Sequence, residues 1–127
     1  MPSPIALKDI APMRGKKLVD AQGKTLGRIE AIHYDGLTKE VFWFEVKRGL
    51  LNQRRYLVPG EGARIDGRVV VSAFDKDKVV SGPEFDMWKG LTDEVDRRAN
   101  EYFGTDQPKR LRVMQVMREG DFVAGLP

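Results

Sequence analysis

The feature that most constrains this chain is a quick succession of short strand patterns between residues 16 and 74, mostly joined by short turns. Lys16 to Ala21 is short and extended, with Leu18 and Val19 as its apolar residues. Gln22-Gly23-Lys24 reads as a turn, because glycine takes positive φ without steric penalty. Leu26 to Tyr34 then completes a β-hairpin. Its apolar residues are out of phase: Leu26 and Ile29 cannot share a face by strict alternation, and nor can Ile29 and Ile32. A β-bulge near Glu30-Ala31 restores the phase, putting Ile32 and Tyr34 on the face of Ile29 and turning His33 outward.

Asp35 to Lys39 is a loop, and Glu40 to Lys47 is the strongest strand pattern. Phe42, Phe44 and Val46 lie on one face, with Val41, Trp43 and Glu45 on the other. Both faces are apolar over the first half, so the strand is sandwiched, or Trp43 lies under another element or a partner. Arg48 to Arg55 is a polar loop interrupted by Leu50-Leu51. Tyr56 to Pro59 is a fourth strand, ended by a proline that cannot donate to a ladder. Ala63 to Ile65, Asp66-Gly67 and Arg68 to Phe74 form a hairpin around a type I′ turn signal. About six strands over such a span, mostly joined by short turns, predict a mainly β fold built on a small barrel.

The pattern changes after Phe74. Asp75 to Asp86 is an irregular link with one helical turn. Thr92 is placed to cap a helix, with Asp93 and Glu94 at its positive end. Val95, Ala99 and Tyr102 recur at helical spacing, and Gly104 stops the helix. This helix is expected as a lid on the barrel. In the tail, Leu111, Val113 and Gln115 alternate with Arg112, Met114 and Val116, a strand pattern through Met117. Glu119-Gly120-Asp121 turns it towards Phe122 to Leu126. So apolar an end is expected to tuck against its own barrel or a second copy. The chain thus divides into an N-terminal arm (1–12), a barrel (13–74), a link and helix packed on it (75–104), and a tail (105–127) that forms a β-hairpin or a dimer arm.

The 127 residues suit one compact domain, and the chain has no cysteine and one histidine. Thiol nucleophiles, zinc ribbons and disulfide scaffolds are thereby excluded, and so is a His-rich metal site. His33 has no nucleophile-elbow pattern beside it and is expected at the surface or a rim, where it would tune an interface near neutral pH. Asp75, Asp77, Glu84 and Asp86 fail the spacing of a calcium loop, and Lys76 and Lys78 intervene. Gly15-Lys16-Lys17 and Gln22-Gly23-Lys24 are too short for phosphate loops. No catalytic residue, metal or cofactor is expected. The first residues lack the apolar core of a signal peptide, and no apolar run reaches the roughly 18 residues that span a bilayer, so a cytoplasmic location is expected. The net charge of +3 is mild. Basic residues fall in pairs, such as Lys47-Arg48 and Arg54-Arg55, which make a phosphate patch only if the fold gathers them.

The segment Met13 to Glu30, MRGKKLVDAQGKTLGRIE, resembles the opening of a PRC-barrel domain: a hydrophobic strand ending in Asp20, a Gly-centred turn, then Gly27 and a β-branched residue beginning strand two. Asp35 closes the second strand as that family often does, and Tyr56-Leu57-Val58-Pro59 resembles its strand leading to a proline. Val79 to Asp86 and Tyr102-Phe103-Gly104 are similar to the link and helix of single-domain bacterial members. The resemblance covers roughly residues 13 to 104. The family includes the cytoplasmic domain of the photosynthetic reaction-centre H subunit and the C-terminal domain of a ribosome-maturation factor. It implies a small PRC-type β-barrel with a C-terminal helix, acting as a non-catalytic docking module for a protein partner. Self-association as a dimer is expected from the tail and the two-faced strand. The interaction residues expected are Trp43, Leu50, Leu51, Arg54, Arg55, Trp88, Phe122 and Leu126. An RNA- or ribosome-associated module is the alternative, with Lys47, Arg48, Arg54 and Arg55 on phosphate.

Overall fold

In a computed structural model describing residues 5–51, 53–105 and 113–122, seven strands form one sheet. They are β1 (Lys17–Val19), β2 (Thr25–Asp35), β3 (Val41–Arg48), β4 (Arg54–Pro59), β5 (Arg64–Asp66), β6 (Val69–Val71) and β7 (Met114–Arg118). The order is β4-β3-β2-β1-β6-β5, with β7 also on β2. Only β1 and β6 run parallel; the other pairings are antiparallel. The sheet curls into a small barrel of PRC type that stays open between β4 and β5.

Strand β2 is the spine. Arg28 to Tyr34 pair with β3 along one edge. The other edge is divided: Thr25 to Arg28 take β1, and Ala31 to Asp35 take β7. Between the two halves the register with β3 shifts at Glu30, and Ile29 and Ile32 are both fully buried. That is the bulge the phase argument demands: one extra residue bends the strand and returns its apolar set to the core.

The outward turn of His33 is corrected. Its side chain is 5% exposed, because the face of β2 that looks away from the barrel does not look at solvent. The ring of Phe85 stands edge-on to the imidazole, with centroids 5.4 Å apart. Strand β3 is buried on both faces for the same reason: Val41, Trp43 and Glu45 are as inaccessible as Phe42, Phe44 and Val46. The hairpin of β5 and β6 also differs from expectation. Asp66 pairs with Val69 and only Gly67 has positive φ, +62°, so the loop Gly67-Arg68 has the glycine-first form of a type II′ turn.

Three helices pack against the sheet. The first, α1 (Leu7–Ile10), and the single 3-10 turn that follows bury Leu7, Ile10, Ala11 and Met13. The second, α2 (Lys76–Val80), buries Val79. The third, α3 (Asp93–Phe103), is capped by Thr92, whose side chain accepts from the Val95 N–H. It ends at Gly104, in the left-handed conformation that spares glycine a Cβ clash. Its buried side, Asp96, Ala99, Asn100 and Phe103, meets the sheet: Trp43 Nε1 donates to Asp96 Oδ1 at 2.9 Å. The element over Trp43 is therefore a helix of the same chain. The apolar tail likewise supplies β7 to its own β2.

Candidate docking face and basic hollow

On the outer face of β3, an acid sits where the strand is otherwise apolar. Glu45 is fully buried, and desolvation alone would raise the pKa of its carboxyl. Hydrogen bonds from His33 and Arg118, and their charges, outweigh that and hold it below the usual glutamate value. Arg118 of β7 donates from Nη1 to Oε1 at 3.0 Å and from Nη2 to Oε2 at 3.2 Å, a two-pronged contact that fixes the guanidinium plane. His33 Nε2 is 3.2 Å from Oε2; an ionised carboxylate only accepts, so Nε2 carries the proton. Arg55 of β4 brings Nε to 3.7 Å from Oε1 and donates from Nη2 to Glu30 Oε1 at 3.0 Å. Four strands, β2, β3, β4 and β7, are thus tied through one carboxylate.

Two hollows lie over this ionic floor. One, of about 590 Å³, is lined by Gln53, Arg54 and Arg55 on one side and by Glu84 to Trp88 on the other. The link is held to the edge of β4 by the Phe85 N–H, which donates to the Arg55 carbonyl at 2.7 Å. Arg54 Nε meets Glu84 at 3.3 Å, an exposed pair. The Trp88 N–H donates to Asp86 Oδ1 in a tight local turn, and its side chain stands 88% exposed. The second hollow, about 380 Å³, is lined by His33, Leu91, Met114, Val116 and Arg118, among others; Met87 lines both.

A third hollow, again of about 590 Å³, has a different character. Its walls are Gly15, Lys17, Lys24, Thr25, Gly27, Arg28, Lys47, Arg48, Gly49 and Lys76, six basic residues with no acid. Gly49 lines this hollow and Gln53 the Trp88 hollow, and the two share no lining residue.

The residues singled out from the sequence sort as follows. Trp43 is corrected from a surface contact to a core residue, fully buried under α3. Arg54 and Trp88 share a hollow; Arg55 is at its wall, but its guanidinium is committed to Glu30 and Glu45. Leu50 and Leu51 are 94% and 95% exposed on the loop between β3 and β4. Phe122 is exposed beyond β7, where Arg14 Nη1 donates to the Arg118 and Asp121 carbonyls. Leu126 lies outside the described residues. The four cations expected together on phosphate do not share a hollow: Lys47 and Arg48 line the basic one, Arg54 and Arg55 the other.

Glu45, Glu30 and Arg118 are the site residues that sequence reasoning missed. The signal for Glu45 was an acid inside an apolar strand, but its strongest partner lies 73 residues away. Among the described residues no three His, Asp or Glu side chains are grouped to hold a metal ion. Nor, among them, is any helix long and apolar enough to cross a membrane.

Comparison with known proteins gives one match. The model of the PRC-barrel domain family matches residues 8–79, from α1 to α2, and leaves α3 and β7 outside the matched span. No curated protein and no solved structure gives a significant match. The matched span covers more than half of the chain and contains six of its strands, in an open barrel of the expected kind; the chain belongs to the PRC-barrel domain family.

Proposed function

We propose that this chain is a non-catalytic docking module that receives a protein partner on the face carrying Trp88 and Arg54. The observation that carries the reading is Trp88, a large ring left in solvent beside a concave wall while the other tryptophan is wholly buried. Exposed tryptophan with a neighbouring arginine is the composition that dominates binding energy in protein interfaces. The ionic floor supports the same reading, since Glu45, Arg55 and Arg118 immobilise the strands beneath the face and lower the ordering cost of binding. The partner suited to it offers an apolar pocket for the indole and a carboxylate for Arg54. Self-association keeps less support, because β7 pairs with its own β2 and α3 covers Trp43, while Phe122 stays exposed and residues 123–127 lie outside the described residues.

The test is affinity capture from source lysate treated with nuclease, using the native chain and Trp88→Ala in parallel. Recovery of a defined protein by the native chain, lost with Trp88→Ala, is expected. Equal recovery by both chains overturns the assignment of this face. Light scattering at high concentration separates a partner from a second copy: a monomer supports the former.

A further inference from the structure

The basic hollow shares no lining residue with the Trp88 hollow of the docking face, and its charges are organised differently. Arg48 is held by the backbone: Nη1 donates to the carbonyls of Thr25 and Leu26 at 2.7 and 2.8 Å, contacts that fix its position and leave its charge unneutralised. Arg28 meets Glu119 at 3.3 Å, with both side chains well exposed, so the pairing is screened by water. Among the described residues, no ion pair holds Lys17, Lys47 or Lys76, and no acid lines the hollow.

Two of the lysines are brought together by a buried carboxylate that does not line the hollow. Asp20, almost wholly buried, accepts from the N–H groups of Gln22 and Lys24 with Oδ1 and from the N–H of Lys76 with Oδ2, at 2.9 to 3.0 Å. Burial works to raise the pKa of its carboxyl, and the backbone donors from Lys76, Lys24 and Gln22, joined by the charge of Lys24, override that and lower it. Asp20 thereby joins the β1–β2 turn to the start of α2, across 56 residues of sequence, and sets Lys24 beside Lys76. Glycine shapes the wall opposite. A Cβ on Gly27 would come within 2.7 Å of the Lys47 carbonyl oxygen, and φ there is +154°, so only glycine lets β2 approach β3 so closely.

We infer that this hollow binds a compact polyphosphate anion, one presenting two or more adjacent phosphate groups. A volume of about 590 Å³ is in the range of small-ligand sites. Several like charges gathered in a concave wall focus potential on a multivalent anion in a way that scattered surface lysines do not. An extended nucleic-acid strand fits less well. No aromatic ring lines the hollow for a base to stack on, and Arg54 and Arg55 are not there to continue a track for the backbone.

The test is calorimetric titration of the full chain with inorganic tripolyphosphate, with orthophosphate and a 12-nucleotide single-stranded RNA as separate titrants. Tripolyphosphate should bind, weaken as salt rises, and lose about tenfold or more in affinity in Lys24→Gln/Lys76→Gln, since two charges near the anion are removed. Trp88→Ala should bind it as the native chain does. Amide signals of Gly15, Gly27 and Gly49 should shift on addition, a readout that holds even if the lysine variant is impaired in folding. The inference is overturned if those signals stay unmoved at millimolar tripolyphosphate. It is also overturned if the double variant, folded by circular dichroism, binds unchanged, or if RNA binds far more tightly than tripolyphosphate. Failure here leaves the docking face untouched, because the two rest on different residues.

Discussion

Two hollows of equal size, one lined by Gln53 and the other by Gly49, treat arginine and lysine in opposite ways. Beneath the Trp88 hollow, Arg55 and Arg118 are matched against Glu30 and Glu45, and the charges cancel in the interior. Around the basic hollow, the one buried acid, Asp20, spends both oxygens on backbone N–H groups. The first arrangement is a framework on which an uncharged ring is displayed; the second keeps positive potential unspent. Charge that holds a fold together and charge that stays open to a ligand are told apart by what faces them, and residue type alone does not separate them.

Substitutions that attack each side should differ in size in a definite order. Glu45→Ala leaves the guanidinium of Arg118 and the neighbouring Arg55 without their shared counter-charge; a loss of about 3–5 kcal/mol in denaturant-unfolding free energy is expected. A loss below about 1 kcal/mol would mean that the floor is not a framework. The acid dependence has a definite sign. Because the carboxyls of Glu45 and Asp20 have lowered pKa values in the fold, their stabilisation is complete above the unfolded values, about 4.3 and 3.9. It is lost progressively as pH falls below these and through the folded values. Thermal melts from pH 6 to pH 2 should show this fall, and Glu45→Gln should make it shallower. A midpoint that does not move over this range would contradict both assignments.

On the basic side, Asp20→Asn keeps one carbonyl acceptor and gives up the other, so about 1–3 kcal/mol is expected, read by the same unfolding experiment. Trp88→Ala should be the smallest of all, within about 0.5 kcal/mol in stability, as for other solvent-exposed positions. Its effect belongs in binding. A large stability loss there would show that the ring packs against the fold and sharpen the comparison against us.

Local features were legible. The bulge at Glu30 followed from the phase of Leu26, Ile29 and Ile32, and the ends of α3 from Thr92 and Gly104, because each depends on neighbours within a few residues. The burial of His33 was not legible, since the ring over it comes from Phe85 in a link with no periodic pattern. Trp43 left two readings open until α3 was placed on it. The division of basic residues between two hollows was hidden more deeply. Lys47 faces Arg55 and Arg48 faces Arg54 across the β3–β4 ladder, so the strand pairing alone would allow a common patch. What separates them is the ion pairing of Arg55 and the capping of the Thr25 and Leu26 carbonyls by Arg48, contacts that no spacing announces.

The divided edge of β2 also bears on how the protein is made. Synthesis runs from N- to C-terminus, so the pairings among β1 to β6 can all form before β7 has left the ribosome. Until then, Ala31 to Asp35 present an open row of backbone groups, and Glu45 lacks the arginine that grips both its oxygens. The arrival of β7 closes the row and adds Arg118 to the His33 and Arg55 already facing the acid. The last of the described strands therefore completes two things at once: without it the chain keeps an unpaired backbone row on β2 and a buried carboxylate short of one of its arginines.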